Sequence, residues 1–235
     1  MSLKLDNLSL TAGEFTINSL NLELYTGEYF VLMGPTGSGK SLLLKAICGL
    51  HKLDHGTISI AGNEVTYLHP GRRKIGYVPQ VSTLFPNMNV KANIRFPLDV
   101  KGVKRVDGER RVNAIAEMLG IKKLLARETI HLSGGECQKV TLARALATTP
   151  DILIFDEPVS AVDEATRHEI CTELVRIQKE LNILTIHVCH SIEEAKIVSD
   201  RIGIILNGEI CAVGTIDEVA KSNKSHPGIT RLLNV

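Results

Sequence analysis

The chain has 235 residues, 44% of them apolar and 23% charged, with 27 basic against 26 acidic side chains and a formal charge of +1. This composition excludes a disordered or fibrous polymer and suits one large domain, or a core with a subdomain, around a substantial interior. No basic stripe marks a nucleic-acid surface.

Residues 3–10 alternate apolar and polar as a strand should, and so do 15–24 (FTINSLNLEL). Thr26 and Gly27 read as a turn, and YFVLMG at 29–34 as a short buried strand. SLLLKAICGL after residue 40 is a helix closed by Gly49. GTISIAG at 56–62 and KIGYVPQ at 74–80 are further strands. The stretch FPNMNVKANIRFPL, punctuated by Pro and Asn, reads as loop, followed by helices over GERRVNAIAEMLG and KKLLARE. PDILIF at 150–155 is again a buried strand. ATRHEICTELVRIQKEL then reads as helix, ILTIHVC as strand, SIEEAKIVSD as helix and RIGIILNGEICAVG as strand–turn–strand.

This order predicts an α/β core with an N-terminal antiparallel β-subdomain and an inserted α-helical subdomain. The expected limits are 1–81 for the first core segment, 82–149 for the helical insert and 150–235 for the rest of the core. Five scattered cysteines without a CxxC pair disfavour zinc and a disulfide framework, and fit a reduced compartment. The N-terminus lacks the features of a signal peptide, and no apolar run approaches about 18 residues, so nothing is expected to span a bilayer.

Three stretches carry chemistry. GPTGSGKS fits G-x-x-x-x-G-K-[ST] between a strand and a helix, making the core a P-loop NTPase. Gly34, Pro35, Thr36, Gly37, Ser38 and Gly39 would wrap phosphates with backbone N–H groups. Lys40 would reach the β- and γ-phosphates, and the Ser41 hydroxyl would ligate Mg²⁺. ILIFDE places Asp156 at the carboxyl end of a buried strand, a position for a metal ligand, with Glu157 beside it as general base. LSGGECQK is a second helix start prepared for an anion: Ser133 as cap, then Gly134 and Gly135, with Glu136 and Gln138 in the first turn.

With GPTGSGKS, the glutamine of YVPQ, LSGGE, ILIFDEP, SAVD and the histidine of VCHSIEEA in this order, nearly the whole chain resembles the ATPase subunits of ABC transporters. The resemblance implies ATP and Mg²⁺ as ligands. Gln80 becomes the residue sensing metal and attacking water, Asp163 a residue at a dimer seam, and His190 the switch histidine on the γ-phosphate. His187, inside the strand, gets no such role. The resemblance also implies a head-to-tail homodimer in which Ser133 and Gly135 of one subunit meet the ATP held in the other's cradle.

Some positions depart from the family pattern. Leu42 stands where a threonine usually helps hold the α-phosphate, and Cys189 and Ser191 flank His190 where Thr and Asp are usual. Cys137 inside the signature is expected to be packing. For the aromatic under adenine the candidates are Phe15 and Tyr25. Phe15 is favoured, with core packing as its alternative.

The region VPQVSTLFPNMNVKANIRFPL is similar to importer ATPases for oxyanions, sugars, polyamines and iron, and the cradle to molybdate/tungstate-type subunits. That implies a peripheral position on the inner membrane face, with permease subunits docked near Phe85–Pro86 and Phe96–Pro97 and, indirectly, an extracytoplasmic binding protein. Many such relatives continue into a β-rich regulatory domain, whereas this text stops at ITRLLNV. An exporter ATPase or a non-transport ABC ATPase are the alternative readings.

Overall fold

Alternation breaks at Asp6 and Asn7 in the first strand, β1 (Leu3–Ala12), and the backbone accommodates it with a bulge. Asn7 adopts φ 49°, which resets the register so that Leu3, Leu5, Leu8 and Leu10 all point inward. The computed structural model describes residues 2–81, 83–160, 162–222 and 226–233. Residue 82, the expected start of the helical insert, Ala161 of the SAVD motif and the chain ends at 1 and 234–235 lie outside that set.

In chain order β2 (Phe15–Leu24), β3 (Tyr29–Met33), α1 (Lys40–Cys48), β4 (His55–Ile60), β5 (Asn63–Glu64) and β6 (Ile75–Val78) follow. Next come α2 (Val90–Val100), α3 (Arg105–Met118) and α4 (Gly134–Leu146). The chain continues with β7 (Ile152–Asp156), α5 (Glu164–Leu181), β8 (Leu184–Cys189), α6 (Ile192–Val198), β9 (Arg201–Leu206), β10 (Glu209–Gly214), α7 (Ile216–Ser222) and α8 (Pro227–Leu233).

Two sheets form. One is antiparallel in the order β2-β1-β4-β5. The other runs β10-β9-β3-β8-β7-β6, parallel except for the β9–β10 hairpin. Its central strands are apolar on both faces, as a covered parallel sheet requires. Tyr29, Val31, Met33, Leu153 and Phe155 pack toward the helices of the insert and of the C-terminal half. Phe30, Leu32, Ile152, Ile154, Ile186 and Val188 pack toward α1 and the antiparallel sheet. The carboxyl ends of β3, β7 and β8 therefore open side by side, where α/β sheets bind ligands.

The helical region differs from expectation in two places. FPNMNVKANIRFPL is not all loop, because residues 90–100 form α2. The Asn89 side chain caps it by accepting from Ala92 N, and Pro97 is carried within the helix. Asn93, fully buried, fastens the preceding loop: its Oδ1 accepts from Phe85 N at 2.8 Å, while its Nδ2 donates to the carbonyls of Phe85, Met88 and Asn89. Conversely, KKLLARE yields only a 3₁₀ turn at Lys122–Leu124, too short to bury a helical face.

Candidate active site

The cradle grows from β3. Gly34 follows its last residue so closely to β9 that a Cβ there would lie 2.3 Å from the Ile205 carbonyl oxygen and 2.6 Å from Ser38 Oγ. Gly39 takes φ 103° at the head of α1, a conformation that only glycine adopts cheaply. Lys40 folds back, its ammonium donating to the carbonyls of Gly34 at 2.8 Å and Pro35 at 2.9 Å. Burial lowers its pKa, while the nearby Glu157 and Asp156 pull the other way. Ser38 Oγ is buried and has no hydrogen-bond partner among the described residues.

Asp156 ends β7 with one oxygen, Oδ1, 3.5 Å from Ser41 Oγ and the other accepting from the Tyr77 hydroxyl at 2.8 Å. Burial and that bond hold the Tyr77 phenol well above its usual pKa, so it remains a donor. Glu157 follows in the left-handed region at φ 51°, an uncommon conformation for a non-glycine residue, with its N–H on the Val188 carbonyl. Its carboxylate is shared: Gln80 Nε2 donates to Oε2 at 3.0 Å, and His190 Nε2 meets Oε1 in a short contact. His190 Nδ1 in turn lies 3.1 Å from the Gly34 carbonyl. Gln80, Glu157, His190 and the cradle thus form one connected polar set drawn from four separated segments.

An open cleft of about 450 Å³ runs over this set, lined by Ala12, Phe15, Thr36, Gly37, Gly39, Lys40, Ser41, Leu42, Glu157 and His190. Phe15 lines it, with its ring against Gly39, and Tyr25 does not. Leu42 presents an apolar side chain at its wall. His187 is elsewhere, buried beneath β8's other face.

The signature helix starts with the cap expected at Ser133. Ser133 Oγ accepts from Glu136 N, and the Glu136 carboxylate accepts from Ser133 N at 2.8 Å, a complete capping box. Gln138 falls in the second turn rather than the first, and its amide donates to the Pro158 carbonyl, tying α4 to the segment after Glu157. Ser133, Gly134 and Gly135 are exposed, none of them lines the cleft, and among the described residues a Cβ on either glycine would meet nothing within 4 Å. Asp163 caps α5 by accepting from Thr166 N, and Ser191 caps α6 by accepting from Glu194 N. Tyr77 and Asn93 were not legible as site residues. Tyr77 sits three positions before Gln80 on a strand too short for its direction to be read.

Comparison with known proteins fits this geometry. The profile of the ABC transporter family matches residues 17–160, more than half of the chain. The chain belongs to the ABC transporter family. It is 42% identical over 219 residues to the molybdate/tungstate import ATP-binding protein WtpC of Thermococcus kodakarensis, over 93% of this chain and 66% of that protein. The protein of the same name from Methanocaldococcus jannaschii is 44% identical over 212 residues, 90% of this chain and 70% of the relative. The chain thus spans about two thirds of the length of these relatives. Among solved structures, the dimeric post-hydrolysis state of an ATP-binding cassette bound to ADP and phosphate matches with TM-score 0.77 at 29% identity, over 91% of this chain and 98% of that one.

Proposed function

We propose that this chain is the ATP-hydrolysing subunit of an importer for a small oxyanion of the molybdate or tungstate type, working as a head-to-tail homodimer beneath separate permease subunits. The observation that carries the dimeric reading is the pair Gly134 and Gly135. Glycine costs a helix about 1 kcal/mol relative to alanine, yet neither position has a positive φ or a neighbour that excludes a side chain. Their bareness suits a ligand approaching from outside the chain, onto the positive end of α4. A second cradle, carrying ATP, is such a ligand.

In this reading Gly34, Pro35, Thr36, Gly37, Ser38, Gly39 and Lys40 hold the phosphates. Lys40 exchanges its two carbonyl partners for β- and γ-phosphate oxygens. Phe15 stacks on adenine. Ser41 and Asp156 present hard oxygen donors 3.5 Å apart, a donor set that suits Mg²⁺, and these two residues would hold it. That ion supplies neutralisation of phosphate charge when bound. Tyr77 holds the Asp156 carboxylate in place. Gln80 and Glu157 orient a water, Glu157 takes its proton, and His190 turns from the carboxylate to the γ-phosphate. Ser133 and Gly135 of the partner complete the site, with Gln138 and Asp163 at the seam.

A groove of about 500 Å³, lined by Tyr77, Thr83, Phe85, Phe96, Pro97 and Arg144 among others, suits a short helix from a permease. Phe85 meets Phe96 in a tilted pair with centroids 4.6 Å apart, under the Arg144 guanidinium, which also donates to Thr83. No helix of the described residues is long and apolar enough to cross a membrane, and attachment to the inner membrane face through this groove follows from the proposal. Loading the protein with ATP tests it. Glu157→Gln should abolish steady-state phosphate release and accumulate an ATP-stabilised dimer on gel filtration. Wild-type turnover in that variant refutes the assignment of Glu157.

A further inference from the structure

His187 lies at the centre of the parallel sheet with its ring fully buried, and both ring nitrogens are bonded. Nε2 meets Glu194 Oε1 of α6 at 2.7 Å, and Nδ1 meets the Tyr29 hydroxyl of β3 at 2.9 Å. The rings of Tyr29 and Phe155 flank it at 5.9 and 5.8 Å between centroids. A carboxylate only accepts, so Nε2–H donates to Glu194 and Nδ1 accepts from the phenol. Burial raises the Tyr29 pKa well above its ordinary value, which keeps that hydroxyl a donor. The three residues form a continuous chain of hydrogen bonds from β3 to α6.

A polar chain buried this deeply is costly to assemble unless every member is paired, and an apolar trio would pack here with less penalty. Its placement suggests what it does. His187 and Glu194 close a loop over residues 187–194, and His190 lies near its midpoint. The loop is pinned a second time by the Glu194 N–H on Ser191 Oγ, next to His190. Tyr29 stands in the strand that runs into the cradle, and the tip of the same loop touches that cradle through His190 Nδ1 and the Gly34 carbonyl. Two cross-ties therefore join the β8–α6 corner to β3 and its loop, one at the buried base and one at the exposed tip.

We propose that Tyr29, His187 and Glu194 are positioning residues that fix the corner carrying His190, so that its imidazole is held at the depth of the phosphate cradle. The proposal rests on the ATPase reading above and adds to it residues that would touch neither nucleotide nor metal. Misplacement of a reacting group by about 1 Å can lower a rate about 100-fold, whereas the cradle amides that bind ATP are anchored independently by β3 and α1.

The test compares His187→Phe, Glu194→Leu, Glu194→Gln and Tyr29→Phe in the full chain, with ATP turnover, affinity for a non-hydrolysable ATP analogue and thermal melting measured together. The expected result is a fall in kcat of roughly 10- to 100-fold for His187→Phe and Glu194→Leu, with analogue affinity held within about twofold. Glu194→Gln keeps an oxygen that accepts from Nε2–H and should restore most of kcat. Wild-type kcat in both disruptive variants overturns the proposal. So does a parallel loss of kcat, affinity and stability that Glu194→Gln does not relieve. If Glu194→Leu fails to fold, Tyr29→Phe, which deletes one hydroxyl, decides by the same split. Absence of turnover in the wild-type chain would count against the ATPase reading instead. In that case a crystal structure of His187→Phe decides: His190 drawn away from the Gly34 carbonyl supports the proposal, and His190 unmoved overturns it.

Discussion

Arg73 is a buried guanidinium, 4% exposed, with four of its N–H donors on backbone carbonyls. Nη1 donates to Ala46 at 2.9 Å and Ile47 at 2.8 Å, Nη2 to Thr66 at 2.7 Å and Nε to Leu68 at 3.1 Å. The first two are among the last carbonyls of α1, where Gly49 N already donates to Ala46, so Arg73 adds to the glycine cap and complements the helix dipole. Replacing it with leucine removes four bonds: the Ile47, Thr66 and Leu68 carbonyls lose their guanidinium donor, while Ala46 keeps the Gly49 N–H. Each bond from a charged donor is worth about 1.5–3 kcal/mol, a gross loss of roughly 6–12 kcal/mol. The cost of dehydrating a guanidinium, several kcal/mol, offsets part of that and is visible in the lowered pKa that burial imposes. A net loss of about 3–5 kcal/mol remains. For a chain of this length, at about 2–4 °C per kcal/mol, Tm falls by roughly 6–20 °C. Arg73→Lys should recover little, because one ammonium cannot span four acceptors set around a planar fork. Calorimetry or circular dichroism reads the result. A Tm within about 2 °C of wild type for Arg73→Leu would mean that water reaches these carbonyls, and would refute the capping argument.

Leu42→Thr returns a hydroxyl to the cleft wall and should tighten ATP binding by about 0.5–1.5 kcal/mol, roughly 2- to 12-fold in Kd by titration calorimetry. Phe15→Ala removes the only phenyl ring lining the cleft among the described residues. If it stacks on adenine, the loss of about 1–3 kcal/mol raises the ATP Kd roughly 5- to 150-fold. A fall in Tm with unchanged Kd would assign Phe15 to packing alone.

Much of the cradle was legible because its chemistry is local. A strand, a glycine-rich loop and a helix are contiguous in GPTGSGKS and its neighbours, and Ser133 and Glu136 declare their capping box within four residues. The Gln80–Glu157–His190 set was reachable only through family resemblance, since nothing in local pattern brings residues 80, 157 and 190 together. α2 was missed because Pro97 and the asparagines read as loop punctuation. In the fold Asn89 caps the helix and Asn93 spends its amide on four partners of the loop before it, which only tertiary placement reveals. In the sequence His187 reads as an ordinary strand residue, since its partners Tyr29 and Glu194 come from opposite sides of it in the chain. Arg73 was equally silent, because an arginine among polar neighbours gives no hint that it will be buried.

The central claim is that one chain holds two half-sites for ATP and that hydrolysis needs both, from different subunits. Ser133→Arg addresses it most directly. It fills the exposed start of α4 with a bulky cation, while the cleft lined by Phe15, Lys40 and His190 is untouched in its own chain. The account predicts ATP affinity at the cradle within about twofold of wild type, with phosphate release reduced at least about 100-fold and the ATP-dependent dimer lost. Wild-type phosphate release from Ser133→Arg would contradict the composite site.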